Sequence, residues 1–150
     1  MDEAKTSVFR YLKYRPRSVA EIVDKLRSKD FSEEIIQQAV SYFKRIGSIN
    51  DEQFAIIWTR SRLNKPYGIR RIRVELKQKG ITDNLITDAI ANATQDYEEL
   101  DTILELAQRR LRKYHHVNKE TARRRLYAYL ARRGFNSGTI VKVLNKIEFE

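Results

Sequence analysis

The chain has 150 residues, no cysteine and a formal net charge of +10, from 30 Lys and Arg against 20 Asp and Glu. Without cysteine there is no disulfide, no thiolate for zinc and no cysteine nucleophile, and no apolar run is long enough to span a bilayer. The opening Met-Asp-Glu-Ala lacks the basic-then-apolar order of a signal peptide, so a soluble cytoplasmic protein is expected.

From the N-terminus, apolar spacing predicts helices over about residues 4–14, 18–29 and 32–46. Val8, Tyr11 and Leu12 mark the first. Ser18 and Glu21 form a capping box ahead of the second, which carries Ile22 and Leu26. The third carries Ile35, Ile36, Ala39, Val40, Phe43 and Ile46 as one stripe. After a linker near 46–50, Asn50 and Gln53 cap a helix bearing Phe54, Ile57 and Trp58, and Trp58 reads as core because aromatic stripes usually pack. Pro66 and Gly68 mark the linker at 64–67 as the expected bend. Ile72 and Leu76 follow on the next helix, then Leu85, Ile86, Ala89, Ile90 and Ala93 on another. Beyond a linker near 92–95 come Ile103, Leu104, Ala107 and Leu111. A linker at 115–118 leads to Leu126 and Leu130, and finally to Ile140, Val143, Leu144 and Ile147.

One phrase recurs three times in this series. It reads Leu26-Arg27-Ser28-Lys29-Asp30-Phe31-Ser32, then Leu76-Lys77-Gln78-Lys79-Gly80-Ile81-Thr82, then Leu130-Ala131-Arg132-Arg133-Gly134-Phe135-Asn136, at spacings of 50 and 54 residues. Gly80 and Gly134 suit the left-handed residue past a helix end, and Asp30 fills that place at some steric cost. Phe31, Ile81 and Phe135 fold back on Leu26, Leu76 and Leu130, as in a Schellman cap. Ser32, Thr82 and Asn136 then cap the next helix. The expectation is an all-α protein of three tandem three-helix repeats at 1–48, 49–95 and 96–150. About nine helices would stack into an elongated, curved array with no sheet.

The chemistry of catalysis is missing. His115 and His116 are adjacent, so their side chains diverge in most conformations, and a surface turn is expected rather than a metal site. Asp96, Glu98, Glu99, Asp101 and Glu105 suit a solvated face, with Glu105 one turn before Arg109. There is no phosphate-cradling glycine loop, nucleophile elbow or triad order. No cofactor is implied, and the chain is not read as an enzyme.

Charge is segregated instead. Residues 60–79 carry +7, residues 80–108 carry −7 and residues 109–133 carry +9. The middle helix of the second repeat holds Arg70, Arg71, Arg73, Lys77 and Lys79, and that of the third holds Arg123, Arg124, Arg125, Arg132 and Arg133. At the offset of 54, Arg70 matches Arg124, Arg71 matches Arg125 and Lys79 matches Arg133. The first repeat has Ala20 and Glu21 at the first two of these places. Aligned guanidinium groups suit phosphates or carboxylates, and Arg60, Arg62, Arg109 and Arg110 extend the reach. The same turn outlines a DNA-binding helix-turn-helix. Its second helices begin Glu33-Glu34, Asp83-Asn84 and Ser137-Gly138, which disfavours reading of the major groove. A plain, non-sequence-specific nucleic-acid-binding protein is the alternative to a protein-directed one, and a scaffold with solubilising charges is a third reading.

The run Gly47-Ser48-Ile49-Asn50-Asp51-Glu52-Gln53-Phe54-Ala55, followed by Trp58, Arg62 and Gly68-Ile69-Arg70-Arg71-Ile72-Arg73-Val74-Glu75-Leu76, resembles the RecX family of bacterial recombination regulators. So do Tyr11-Leu12 with Arg15, Arg17 and Ser18, and Leu126 with Tyr129-Leu130 and Arg133-Gly134-Phe135. The resemblance covers essentially the whole chain, with Asp30 where the family often has Gly and a short C-terminal end. It implies an accessory protein, expected to be a monomer, that binds the RecA recombinase filament on single-stranded DNA along its helical groove. There it would restrain ATP hydrolysis, strand exchange and co-protease activity. The acidic stretch 96–105 would then face basic recombinase surface.

Overall fold

The computed structural model describes residues 1–95, 97–147 and 149; Asp96, from the acidic stretch, lies outside the described residues, as do Glu148 and Glu150. The described residues form nine α-helices and one 3-10 turn, with no strand. Helices α1 (Asp2–Leu12), α2 (Val19–Ser28) and α3 (Glu33–Arg45) come first. Next are α4 (Asp51–Asn64), α5 (Ile69–Gln78) and α6 (Asp83–Ala93). Then follow α7 (Glu99–Leu111), the 3-10 turn Arg112–Tyr114, α8 (Lys119–Arg132) and α9 (Ser137–Lys146). Helix α1 starts two residues before the expected point, because Asp2 and Glu3 put negative charge on its first turn.

The caps follow the recurring phrase. Asp30, Gly80 and Gly134 take φ of 63°, 76° and 92°. In each turn the apolar residue donates its N–H to the Leu carbonyl five residues back. The distances are 3.3 Å for Phe31 to Leu26, 3.1 Å for Ile81 to Leu76 and 3.4 Å for Phe135 to Leu130. That is the outer bond of a Schellman cap. A fourth such cap, outside the phrase, ends α3: Gly47 has φ of 75°, and Ser48 donates to Phe43 at 2.9 Å. It turns the chain so that Ile46, expected in the α3 stripe, is exposed. Ser18, Ser32 and Asn136 accept backbone N–H bonds from the first turns of α2, α3 and α9.

The chain divides into two compact lobes, one of residues 1–58 and 75–89, the other of 59–74 and 90–150. The core of the first lobe is built by α1–α3, with Val8, Ile22, Leu26, Ile36 and Phe43 almost wholly buried. That of the second uses α7–α9, with Ile103, Leu126, Leu130, Phe135 and Ile140 buried. Burying one such side chain contributes about 1.5–3 kcal/mol. Trp58, expected in the core, is only half-buried and stacks on the buried Phe54 ring at 5.7 Å, while Ile57 is exposed.

Within each lobe one of the recurring turns docks on the start of the middle helix of the preceding repeat. In the second lobe the Gly68 N–H donates to the Arg133 carbonyl at 2.7 Å, and the Arg70 N–H to the Gly134 carbonyl at 3.2 Å. The unpaired N–H groups that open α5 thereby meet the unpaired carbonyls that close α8, and their opposed partial charges attract. In the first lobe the buried Ser18 hydroxyl supplies the donor, reaching the Lys79 carbonyl at 2.7 Å, while Asp51 accepts the Val19 N–H at 2.9 Å. Both joints need bare backbone. A Cβ on Gly80 would lie 2.5 Å from the Ala20 Cβ, and one on Gly134 would lie 2.3 Å from the Arg71 Cβ.

Two substitutions test these turns by urea denaturation. Gly134→Ala combines strain at positive φ with overpacking, so a loss of at least about 2 kcal/mol is expected. Asp30→Gly relieves the left-handed strain at an exposed position and is expected to stabilise by about 1 kcal/mol. Equal midpoints for wild type and Gly134→Ala would contradict the joint.

A candidate anion-binding surface

The two joints carry basic residues to equivalent places, and one position decides what becomes of them. In the first lobe Glu21 stands at the centre. Its carboxylate takes Arg15 at 2.6 Å, Arg17 at 3.5 Å and Lys79 at 3.6 Å. It also accepts the Ser18 N–H, closing the capping box that the sequence implies. Arg17 lies over the Tyr11 ring at 3.7 Å, and Lys79 over Trp58 at 5.2 Å. Burial pushes the Glu21 carboxyl up, but the Arg15 hydrogen bond and the Arg15 and Lys79 charges outweigh it, so its pKa falls below the ordinary 4.5.

Fifty residues on, the place of Glu21 is held by Arg71 and that of Arg17 by Tyr67. In the second lobe the Tyr67 ring is shared by three guanidinium groups. Arg71 from α5 lies 4.1 Å from its centre, Arg62 from α4 at 4.2 Å and Arg133 from the end of α8 at 4.5 Å. The row continues from Arg133 over Tyr129 at 5.5 Å to Arg110 of α7, which lies 4.4 Å over the same ring. Arg110 also donates to the Tyr114 hydroxyl at 3.3 Å. Arg133 is fixed by the backbone as well, donating to the carbonyls of Pro66, at 3.1 Å, and Lys65.

The three cations crowd one ring. Sharing one ring keeps any two of the three guanidinium carbons within about 9 Å of each other. At that distance a pair of like charges repels by roughly 2 kcal/mol at an effective dielectric near 20. An exposed cation–π contact gives back only about 0.5–1 kcal/mol. Repulsion between two such cations therefore exceeds what one contact with the ring offsets, and position 71 holds an Arg where the first lobe has the carboxylate of Glu21.

The remaining basic residues singled out from the sequence fall into two groups. Some are committed to the fold or to carboxylates. Arg60 donates to Asn92 at 3.0 Å, and Arg123 holds the last turn of α9 through the Leu144 carbonyl and Asn145. Arg109 pairs with Glu105 at 3.7 Å and Lys77 with Asp83 at 3.5 Å. Arg60, Arg109 and Glu105 also line a groove of about 760 Å³ in the second lobe. The second group, Arg70, Arg124, Arg125 and Arg132, is exposed, with no side-chain partner among the described residues. Arg73 stands apart, half-buried on α5.

Three tyrosines of this surface escape a reading of the basic residues alone. Their signal is a four-residue spacing: Tyr67 to Arg71, Arg110 to Tyr114 and Tyr129 to Arg133. Two other expectations need correction. His115 and His116 do not diverge, for their rings meet edge to face at 5.4 Å, because His115 keeps helical dihedrals after the 3-10 turn. Glu99, expected on a solvated face, is half-buried and accepts a backbone hydrogen bond from Asn136, with burial pushing its carboxyl up.

Comparison with known proteins gives a consistent picture. Models of the first, second and third three-helix domains of RecX match residues 4–43, 50–90 and 96–144. A protein of Amycolatopsis mediterranei named Regulatory protein RecX is 33% identical over 146 residues, spanning 96% of this chain and 82% of its own. One of Chlorobium phaeobacteroides with the same name is 34% identical over 140 residues, spanning 92% and 89%. The crystal structure of RecX from Lactobacillus salivarius superposes with a TM-score of 0.81 at 25% identity, covering 97% of this chain and 94% of that one.

The first-lobe cluster predicts a pH dependence. Because the folded-state pKa of Glu21 is lowered, its stabilisation is present above the ordinary carboxylate range and is lost as pH falls through the lowered value. Glu21→Gln is expected to cost about 1–2 kcal/mol at pH 7, a difference that vanishes in strong acid. A pH-independent difference between the two proteins in urea denaturation would contradict this.

Proposed function

Because this chain belongs to the RecX family of regulatory proteins, we propose that it binds RecA recombinase filaments on single-stranded DNA and lowers their recombinase, ATPase and co-protease activity. It would act without catalysis of its own, as a monomer in the cytoplasm, through three repeats at 1–48, 49–95 and 96–150. The observation that supports this reading is the group of exposed arginines of the second lobe, Arg70, Arg124, Arg125 and Arg132, with no side-chain partner among the described residues. Arg70, Arg71, Arg73, Arg124 and Arg125 are the proposed principal contacts of the second lobe, and Lys77 is one of the first. Arg60, Arg62, Arg109, Arg110 and Arg132 add electrostatic reach, which speeds encounter with a polyanionic assembly more than it tightens the final complex. Lys79, Arg123 and Arg133 act through the positions they hold in the fold. The acidic stretch that continues through Asp101 and Glu105 is assigned to basic recombinase surface.

A second reading is favoured by the interleaving of tyrosine with arginine, which suits single strands as well as filaments. Under it the chain binds nucleic acid without a protein target. The two differ on naked DNA, where the second requires tight binding at physiological salt with a steep salt slope.

Charge reversal tests the first reading. The double variant Arg70→Glu, Arg71→Glu is expected to keep its helical circular dichroism and to lose about tenfold or more in affinity for RecA filaments in co-sedimentation, a change of ~1.4 kcal/mol. Inhibition of RecA ATPase equal to that of the wild type would remove these residues from the interface.

A further inference from the structure

We propose that the groove between α8 and α9 docks a short acidic segment of a protein partner, one that carries an aliphatic or aromatic anchor. The proposal goes beyond the regulatory reading, because it names a kind of contact and does not need the partner to be a recombinase.

The groove lies wholly within the second lobe and measures about 320 Å³. Glu120, Arg123, Arg124 and Tyr127 of α8 line one side, and Val141 and Leu144 of α9 line the other. The α8 residues fall at i, i+3, i+4 and i+7, so they form one face of a helix over about 10 Å. Ligand pockets run from about 300 to 1,000 Å³, and a groove at the small end of that range holds side chains and not a large cofactor. An incoming helix of about two turns matches its length.

Three observations decide what fits there. The first is wet apolar surface. Tyr127 is 37% exposed and Val141 43%, on opposite walls, with buried Leu144 between them and the core. Single exposed apolar residues are ordinary, but two that share one groove mark a surface for a partner. Val141 and Leu144 are aliphatic and offer nothing to a phosphate or a sugar, whereas an aliphatic or aromatic side chain packs against both. The second is a fixed shape. Arg123 donates to the Leu144 carbonyl at 3.2 Å and to Asn145 Oδ1 at 2.8 Å, which ties α8 to the last turn of α9. A groove held open in this way needs little ordering when it is filled.

The third is charge. Residues 119–146 hold eight Lys or Arg against Glu120 alone, a net charge of +7, and α9 has no acidic residue. Arg124 lines the groove, is exposed and has no side-chain partner among the described residues. Its planar fork is the shape that takes a carboxylate through two hydrogen bonds. Glu120 stands one turn earlier on the same face and repels acid at its own end. The acidic residues of the occupant therefore belong beside Arg124, away from Glu120.

The test is fluorescence anisotropy of a labelled helical peptide, rich in Glu and Asp, with two Leu spaced four residues apart. Binding by the wild type in the micromolar range is expected. The same peptide with Ala for Leu should bind about tenfold more weakly, and one with Lys for Glu and Asp should not bind. Val141→Ser is expected to weaken binding about fivefold with its salt dependence unchanged, and Arg124→Glu about tenfold with a shallower dependence. Glu120→Gln should strengthen it about twofold. Arg132→Glu changes the same charge on α8 outside the groove and should stay within about threefold of the wild type. All four substitutions are at exposed positions, and circular dichroism and urea denaturation confirm that each variant folds. Absence of peptide binding, equal affinity for the Leu and Ala peptides, or equal losses in Arg124→Glu and Arg132→Glu overturns the proposal. So does binding of a single-stranded oligonucleotide that competes with the peptide and is weakened by Val141→Ser, which assigns the groove to nucleic acid. Self-association in sedimentation velocity that Val141→Ser abolishes assigns it to a second copy and overturns the proposal too.

Discussion

The structure depends on one interaction made twice: the carbonyls that end one helix meet the donors that begin another, one repeat earlier in the chain. Each partner answers a demand the other cannot meet alone, since a helix leaves its first N–H groups and last carbonyls unpaired. Between α8 and α5 the backbone makes both bonds, from Gly68 and Arg70 to Arg133 and Gly134. Between the turn at Gly80 and α2, the Ser18 hydroxyl does the same work. Glycine is required in both turns, because the Cβ of Ala20 facing one and the Cβ and backbone N of Arg71 facing the other leave no room for a Cβ.

The joint also has an electrostatic consequence. It brings the basic residue before each turn glycine, Lys79 or Arg133, against the first turn of the preceding middle helix. That turn offers Glu21 in one lobe and Arg71 in the other. The same scaffold therefore gathers three cations around a carboxylate in the first lobe and three around the Tyr67 ring in the second. The repeated position differs in one residue type, Glu21 in the first lobe and Arg71 in the second. A repeat is thus first a means of placing side chains.

Much of the fold is legible in the chain because its signals are local. The recurring Leu, turn residue, apolar residue and cap state a complete Schellman turn in seven positions, and the left-handed Asp30 shows that the pattern tolerates a poor residue. The apolar stripes placed Ile36, Phe43, Ile86 and Ile140 in the interior, where they are. Ile46 fails because the cap at Gly47 turns the chain beneath it, a backbone event that periodicity does not see. Trp58 is half-buried because it stacks along Phe54 instead of pointing into a core, and it faces Arg15 and Lys79. The surface was legible in its arginines and not in its tyrosines. The break at Ala20 and Glu21 is visible as an exception in a basic pattern, but its meaning needs the long-range contact of Lys79 with Glu21. The role of Arg133 likewise depends on carbonyls more than sixty residues away, which no spacing announces.

The arginines of the second lobe, placed by the joint, are what this protein would bring to a polyanionic nucleoprotein filament. The most direct measurement is the steady-state ATPase rate of RecA on single-stranded DNA as this protein is added. The expected result is a rate that falls with increasing protein until it is suppressed at saturation. A rate that stays constant while the protein demonstrably sediments with the filament would contradict the central claim.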